Sequence, residues 1–132
     1  MIGLLIVSHS PKIAEGAKEL ADQMTRQQVP IAAAGGTEDG GLGTSADLIR
    51  AAADQLATTD GIEGVLVLVD LGSAVMSAEM ALEGFARPYR LSNGPLVEGT
   101  LMAAVEASIG AGLEQVAEAA ERTRELLKVQ RS

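Results

Sequence analysis

Short apolar runs rich in β-branched residues alternate with longer segments in which apolar residues recur every three or four positions. Apolar runs of this length, without polar alternation, are typical of parallel strands that are covered on both faces. The pattern predicts four strands, at residues 3–7, 29–34, 64–70 and 87–92. It also predicts five helices, at residues 11–24, 46–56, 74–85, 95–109 and 113–129.

Strands that alternate with helices through short connections indicate an α/β three-layer sandwich, with a parallel sheet between two layers of helices. Because crossover connections are right-handed, four such strands favour the order 2-1-3-4. The order in which successive strands are added to the sheet then reverses between strands 1 and 3. Ligand sites lie beyond the carboxyl ends of the strands at such a reversal. No linker or repeat divides the chain, so we expect one domain over residues 1–132.

Two residues with useful chemistry follow the two strands that flank this reversal. His9 follows strand 1, and its imidazole can attack a phosphoryl group, act as a base or bind a metal. Asp70 ends strand 3, and a carboxylate bonded to one ring nitrogen fixes the tautomer and directs the other nitrogen. The alternative for His9 is a hydrogen bond that merely closes the strand, and for Asp70 a cap or a turn.

A loop with five glycines, at residues 35–45, follows strand 2. Glycine allows the backbone to approach a phosphate or a partner closely. The loop lacks the lysine of a Walker motif, and Ala46 stands where a dinucleotide motif needs its third glycine. We therefore expect no nucleotide site of this chain's own, and the alternative is a mobile surface loop.

Several hydroxyl residues stand where helices are predicted to begin. Ser10 precedes Pro11 and is expected to cap the first helix, and Thr44 or Ser45 is expected to cap the second. After strand 3, Gly72 permits a close approach, and Ser73 either caps the third helix or donates to a phosphoryl oxygen. Further along that helix, the spacing of residues 76 and 80, both methionine, favours core or interface positions.

Composition narrows the possible functions further. The chain has no cysteine, one histidine, two aromatic residues and a net charge of -8. This excludes a disulfide scaffold, thiolate metal sites and cysteine catalysis, and it disfavours nucleic-acid binding, which needs basic and aromatic surfaces. No metal site is expected.

The apolar start at residues 1–7 is too short for a spanning helix and lacks the basic start of a signal peptide. We therefore expect a cytoplasmic protein without a membrane partner.

Taken together, four stretches resemble one known family, the mannose-type IIA domains of the bacterial phosphotransferase system. They lie in the same order as in the family and cover residues 7–16, 35–45, 70–79 and 95–99. Within that family they are most similar to the phosphotransferase subunits of dihydroxyacetone kinase. The resemblance implies a homodimeric α/β phosphocarrier, and thus a phosphotransferase with a phosphohistidine intermediate.

The resemblance implies that His9 accepts a phosphoryl group on Nε2 from phospho-HPr, while Asp70 orients the ring. HPr is itself charged from phosphoenolpyruvate through enzyme I. The group then passes to ADP on the subunit DhaL, and the ATP formed phosphorylates dihydroxyacetone bound to DhaK. This chain would bind no cofactor, since ADP, ATP and magnesium belong to DhaL. HPr-like and enzyme I-like domains, which some relatives carry, are expected here as separate proteins.

The resemblance also marks residues that flank the proposed acceptor and either stabilise the phosphoryl group or dock a partner. These are Ser10, Gly36, Thr37, Thr44, Ser45, Gly72 and Ser73. Three other functions remain open at this point. The first is a sugar-transport IIA component that donates to a IIB protein. The second is a receiver-type domain phosphorylated on Asp70, and the third is a non-catalytic regulatory α/β module. A receiver resembles the chain less, because its acidic magnesium ligands after strand 1 are replaced by the segment 8–10.

Overall fold

A parallel four-stranded sheet forms the centre of the molecule in the computed structural model, which describes residues 1–130. The strands are β1 (Ile2–Ser8), β2 (Ile31–Gly35), β3 (Gly64–Val69) and β4 (Tyr89–Leu91). The helices are α1 (Pro11–Thr25), α2 (Ala46–Ala57), α3 (Gly72–Ala81), α4 (Leu96–Ser108) and α5 (Leu113–Arg122), and a 3-10 helix covers Thr123–Glu125. The strand order is β2-β1-β3-β4 with every pair parallel, which confirms the predicted fold class and order.

The two central strands are buried on both faces, which explains their continuous apolar runs. Since successive side chains point to opposite faces, Leu4 and Ile6 of β1 contribute to one hydrophobic layer and Leu5 and Val7 to the other. Buried residues of α1, α4 and α5 complete the first layer, and those of α2 and α3 complete the second. The buried helix positions are mainly alanines, so the helices lie close to the sheet.

Helix α3 differs from its predicted bounds at both ends. It begins two residues earlier, at Gly72, and its N-cap is Leu71 rather than Ser73, so the prediction that Ser73 caps the helix is wrong. It ends at Ala81 instead of residue 85. Gly84 has φ +74°, a left-handed conformation that ends helices and that the apolar spacing does not reveal.

The last helix is shorter than the predicted range 113–129. Helix α5 ends at Arg122, and Leu126 is extended, with φ -72° and ψ 130°. The hydroxyl of Thr123 donates to the carbonyl of Ala120 at 2.6 Å and competes locally with continued helix. Beyond the turn, Lys128 forms an ion pair with Glu98 of α4, so the chain returns to that helix.

Two predicted helix caps are present. Ser10 caps α1, where its hydroxyl accepts a hydrogen bond from the N–H of Ile13 at 3.3 Å. Of the two candidates for α2, Ser45 is the cap, and its hydroxyl accepts from the N–H of Leu48 at 3.2 Å. Both caps fix the start of a helix that follows a strand at the same edge of the sheet, where the candidate site lies.

Replacing Thr100 by valine is expected to stabilise the fold. Thr100 is completely buried on α4, and its hydroxyl has no hydrogen-bond partner among residues 1–130. Such a group costs about 1–3 kcal/mol, and valine has nearly the same shape without the hydroxyl. Thr100→Val should therefore raise the free energy of unfolding by about 1 kcal/mol, as measured by urea denaturation.

Thr25 supplies a matched control for this substitution. It is also buried, but its hydroxyl donates to the carbonyl of Ala21 at 3.0 Å. Thr25→Val removes a satisfied hydrogen bond and should not raise the stability. A fall in the unfolding free energy of Thr100→Val would contradict the assignment of an unpartnered hydroxyl.

Candidate functional site

His9 and Asp70 lie side by side beyond the carboxyl ends of β1 and β3. Val7 is paired with Val69 across the two strands, so the residues that follow them emerge together. His9 Nδ1 is 3.0 Å from Asp70 Oδ1, and the backbone N–H of His9 donates to Asp70 Oδ2 at 2.9 Å. The carboxylate therefore holds both the ring and the backbone of the histidine.

Ser8 completes the support of this carboxylate, and the sequence reasoning missed it. Its hydroxyl donates to Asp70 Oδ2 at 2.8 Å and accepts from the N–H of Ser10 at 3.0 Å. Ser8 is fully buried at the end of an otherwise apolar strand. A buried hydroxyl needs a hydrogen-bond partner, and a carboxylate ends the neighbouring strand. The position of Ser8 in the sequence could therefore have predicted this contact.

The second ring nitrogen of His9 faces the start of α3. Ser73 Oγ lies 2.7 Å from Nε2, and the His9 side chain is 27% exposed. An ionised carboxylate only accepts hydrogen bonds, so the ring hydrogen resides on Nδ1 and points to Asp70. Nε2 then presents its lone pair, which accepts from the Ser73 hydroxyl. The arrangement leaves Nε2 as a nucleophilic nitrogen near the surface.

The charge state of Asp70 supports this tautomer. Partial burial raises the pKa of the Asp70 carboxyl, but hydrogen bonds from the His9 backbone, the His9 ring and the Ser8 hydroxyl together outweigh it. The net effect is a pKa below the ordinary value for aspartate. Asp70 is therefore ionised at neutral pH, and it can stabilise positive charge on the His9 ring.

The lowered pKa of Asp70 predicts how stability depends on pH. A carboxyl whose pKa is lower in the folded state contributes stability above its unfolded pKa, about 3.9, and loses it as the pH falls through the folded value. Wild type should exceed Asp70→Asn in unfolding free energy at about pH 7, and this difference should shrink at about pH 3. Urea unfolding at both pH values measures it, and a constant difference would contradict the assignment.

The glycine-rich loop packs against the His9 segment. A Cβ at Gly35 would lie 2.5 Å from the Ser10 carbonyl oxygen, and one at Gly36, where φ is +78°, would lie 2.5 Å from the Pro11 ring. The N–H of Gly43 donates to the His9 carbonyl at 2.8 Å. Glycine is thus needed where the loop approaches the start of α1, and the loop holds the backbone of the candidate acceptor.

The other predicted site residues of this loop have local partners. Thr37 pairs with Asp39 within the loop, and Ser45 caps α2. Thr44 Oγ1 lies 2.7 Å from Ser77 Oγ of α3, a partner that the sequence reasoning missed. Among residues 1–130, none of these loop side chains forms a hydrogen bond with His9. Their predicted roles toward a phosphoryl group or a partner stay predictions.

Two helices begin near His9, but only the start of α3 contacts the His9 ring through a side-chain hydrogen bond. The side chain of Ser10 at the start of α1 is engaged as the cap. Gly72 and Ser73 are the first two residues of α3, and Ser73 reaches Nε2. A Cβ at Gly72 would meet open space, so close packing does not require this glycine. The amino end of α3, with its positive dipole, is therefore the helix start that faces the free ring nitrogen.

Within residues 1–130, no three acidic or histidine side chains are grouped as a metal ion would require. None of the helices in that range combines the length and apolar character needed to cross a bilayer.

Comparison with known proteins places this site in a family. The model of the EIIA-man family, described as the fructose IIA component of the phosphotransferase system, matches residues 3–117. The chain belongs to this family. The match includes all of β1 except Ile2, the other three strands, and both His9 and Asp70, and it confirms the resemblance to mannose-type IIA domains. The receiver-type alternative is therefore wrong.

Relatives of this IIA domain carry informative names. The chain is 40% identical over 120 residues to the phosphoryl donor subunit DhaM of a phosphoenolpyruvate-dependent dihydroxyacetone kinase from Listeria innocua, covering 88% of this chain and 94% of that protein. It is 44% identical over 123 residues to the corresponding subunit DhaM of Escherichia coli K12, covering 88% of this chain. The chain spans only 25% of the length of that Escherichia coli relative.

A solved structure shares the fold of this IIA domain. The crystal structure of a protein of unknown function is 34% identical and superimposes with a TM-score of 0.79. The alignment covers 92% of this chain and 93% of that one. The similarity thus extends over the whole sandwich, including the carboxyl edge of the sheet.

Proposed function

We propose that the protein is the phosphoryl-carrier subunit of a phosphoenolpyruvate-dependent dihydroxyacetone kinase. In this proposal His9 accepts a phosphoryl group from phospho-HPr and gives it to ADP on DhaL, and the ATP then serves DhaK. The observation that carries the proposal is the imidazole held at Nδ1 by Asp70, with Nε2 directed to Ser73 at the start of a helix. Membership of the IIA family and the names of the relatives support it.

The first step joins Nε2 to phosphorus. The Nε2 lone pair attacks the phosphoryl group in line, and the donor's nitrogen–phosphorus bond breaks with its electron pair returning to the donor ring. The His9 ring gains positive charge, which the adjacent carboxylate of Asp70 stabilises. The Ser73 hydroxyl is released from Nε2 and can donate to a phosphoryl oxygen, together with free N–H groups at the start of α3.

Positioning and charge stabilisation account for most of the catalysis in such a transfer. A single preorganised donor contributes about 3–4 kcal/mol in comparable oxyanion sites. Because the chain has a net charge of -8, its long-range field opposes an incoming phosphoryl group. Local donors at the start of α3, and cations brought by the partner, offset this repulsion.

The second step returns His9 to its starting state. A β-phosphate oxygen of ADP attacks phosphorus, the bond to Nε2 breaks, and the electron pair returns to the ring as a neutral imidazole. The nucleotide and magnesium belong to DhaL in this proposal, and the chain supplies only the phosphohistidine. The proposal also places the protein in the cytoplasm as a homodimer, which fractionation and size-exclusion chromatography test.

Reconstitution tests the proposed function. The protein is incubated with radiolabelled phosphoenolpyruvate, enzyme I and HPr, and the labelled protein is then mixed with either DhaL–ADP or a IIB protein. We expect label on this protein and its transfer to DhaL–ADP with formation of ATP. Discharge only to the IIB protein would assign the sugar-transport function, and absence of label would favour a non-catalytic regulatory module.

A further inference from the structure

A polar contact joins the glycine-rich loop to α3, and the mechanism proposed above does not use it. Thr44 Oγ1 and Ser77 Oγ are 2.7 Å apart, although the two residues are 33 positions apart in the chain. Both residues are half-buried. Ser45 rather than Thr44 caps α2, and serine is a weak helix former in the interior of a helix such as α3. Helix formation therefore requires neither hydroxyl.

This contact closes a circuit that begins and ends at His9. The N–H of Gly43, the residue before Thr44, donates to the His9 carbonyl at 2.8 Å. Ser77 lies one helical turn after Ser73, whose hydroxyl is 2.7 Å from His9 Nε2. The backbone of His9 and its free ring nitrogen are therefore connected through the loop, the Thr44–Ser77 contact and the start of α3.

Apolar packing contributes little to the placement of α3. The buried residues of this helix are the three alanines Ala74, Ala78 and Ala81. The larger side chains of Met76 and Met80 are 71% and 68% exposed, so these methionines are not part of the core. A buried alanine removes less apolar surface from water than a large side chain does, so these contacts fix the helix only weakly.

Polar contacts from the segment that carries α2 hold α3 as well. The N-cap of α3 forms no side-chain hydrogen bond, so the helix start has no support of its own. Towards the other end, Arg50 of α2 donates from Nη1 to the carbonyls of Ala81 at 3.2 Å and Glu83 at 2.9 Å. Arg50 thus fixes the carboxyl end of α3, and Thr44 holds the helix one turn from the residue that reaches Nε2.

We propose that Thr44 and Ser77 are a positioning pair, which sets the Ser73 hydroxyl where His9 receives the phosphoryl group. Its effect on transfer rests on the proposed function. There the Ser73 hydroxyl leaves Nε2 and donates to a phosphoryl oxygen, and a donor already in place costs no reorganisation during the reaction. A displacement of about 1 Å is enough to lose such an advantage. Among residues 1–130, neither hydroxyl of the pair forms a hydrogen bond with His9, so the pair acts through Ser73.

The kinetic test compares Thr44→Val with Thr44→Ser. Valine keeps the branched shape of threonine without the hydroxyl, whereas serine keeps the hydroxyl. Single-turnover phosphorylation by phospho-HPr is measured at increasing donor concentration. In Thr44→Val the maximal rate should fall about fivefold, the size expected for one neutral hydrogen bond, while the half-saturating donor concentration stays at the wild-type value. Ser77→Ala should show the same loss, and Thr44→Ser should transfer at the wild-type rate.

Thr58→Val is the matched control. Thr58 stands at the other end of α2, where its hydroxyl donates to the carbonyl of Gln55 at 2.7 Å. The same substitution removes a bonded hydroxyl there without touching α3, so the maximal rate should equal that of wild type. A loss equal to that of Thr44→Val would show that transfer follows the stability of α2, and it would overturn the proposal.

A Ser73→Ala background tests the path through Ser73. Once the Ser73 hydroxyl is absent, Thr44→Val should cause no further loss, so the effects of the two substitutions are not additive. Full additivity would contradict the proposal, because the pair would then act by another route. A rise in the half-saturating donor concentration at an unchanged maximal rate would assign Thr44 to partner docking and would contradict it too.

Nitrogen-15 NMR of the unphosphorylated protein gives a readout that does not depend on transfer. Loss of the hydrogen bond from Ser73 should move the Nε2 resonance of the neutral His9 ring in Ser73→Ala. Thr44→Val should move it in the same direction, and Thr44→Ser and Thr58→Val should leave it in place. An unmoved resonance in Thr44→Val would refute the positioning role. Absence of label from phospho-HPr on the wild-type protein would instead contradict the proposed function, and the Nε2 resonance would then decide the positioning role alone.

Discussion

Replacement of His9 by glutamine or alanine is expected to abolish phosphoryl transfer while leaving the fold intact. His9 is the only imidazole in the chain, so no other side chain can take over as a phosphohistidine. Its side chain lies partly exposed beyond the end of β1 and is not part of either hydrophobic layer. Labelling with phosphoenolpyruvate, enzyme I and HPr should fall to background, on the order of a thousandfold or more below wild type.

The fold of the His9 variants is checked by circular dichroism and urea unfolding. The wild-type label should be labile in acid and stable in base, as phosphohistidine is, whereas an acyl phosphate on Asp70 would be labile in base. Label that persists on His9→Gln would place the phosphoryl group on another residue and remove the basis of the proposed function.

Asp70→Ala is expected to slow transfer without removing the acceptor. The carboxylate orients the ring through Nδ1 and balances the positive charge that forms on it. Partners that orient metal-ligating histidines are worth about ten- to a hundredfold, and we expect a loss of similar size for this oriented histidine. Single-turnover phosphorylation by phospho-HPr measures it, with the loss in the rate of transfer rather than in donor binding.

Ser8→Ala separates the orientation of the carboxylate from its presence. This variant keeps the contact between Asp70 Oδ1 and His9 but removes the hydroxyl that donates to Oδ2. Its transfer rate should therefore fall less than that of Asp70→Ala. Unchanged transfer in Asp70→Ala would reduce Asp70 to a structural residue, whatever its effect on stability.

The sheet was predictable because its strands are buried on both faces. The runs at β1 and β3 are continuous and apolar, and the handedness of crossovers leaves few orders for four such strands. The errors lie at helix ends, at Gly84 and Thr123, where a backbone conformation or a local side-chain bond ends a helix within an apolar, helix-favouring segment. Apolar spacing indicates which face of a helix is buried, but it contains little information about the residue at which the helix ends.

Helix α1 shows the same limit for burial. The spacing correctly predicts a helix, but its buried positions include Ala14, Ala17 and Ala21. The larger side chains of Ile13, Leu20 and Met24 are exposed. Only small side chains fit between the helix and the sheet. Hydrophobicity alone therefore does not identify the core residues of this chain, since packing distance selects among them.

The sequence alone determined the fold class, the strand order and the edge of the sheet where His9 and Asp70 meet, because these follow from periodicity and chain handedness. The tertiary structure decided which ring nitrogen is free, that Ser8 supports the carboxylate and that Ser73 reaches Nε2. The physical reason is that these bonds join residues 61 to 64 positions apart in the chain. Such contacts depend on strand register and on the entry angle of α3, which are set by packing of the whole sandwich.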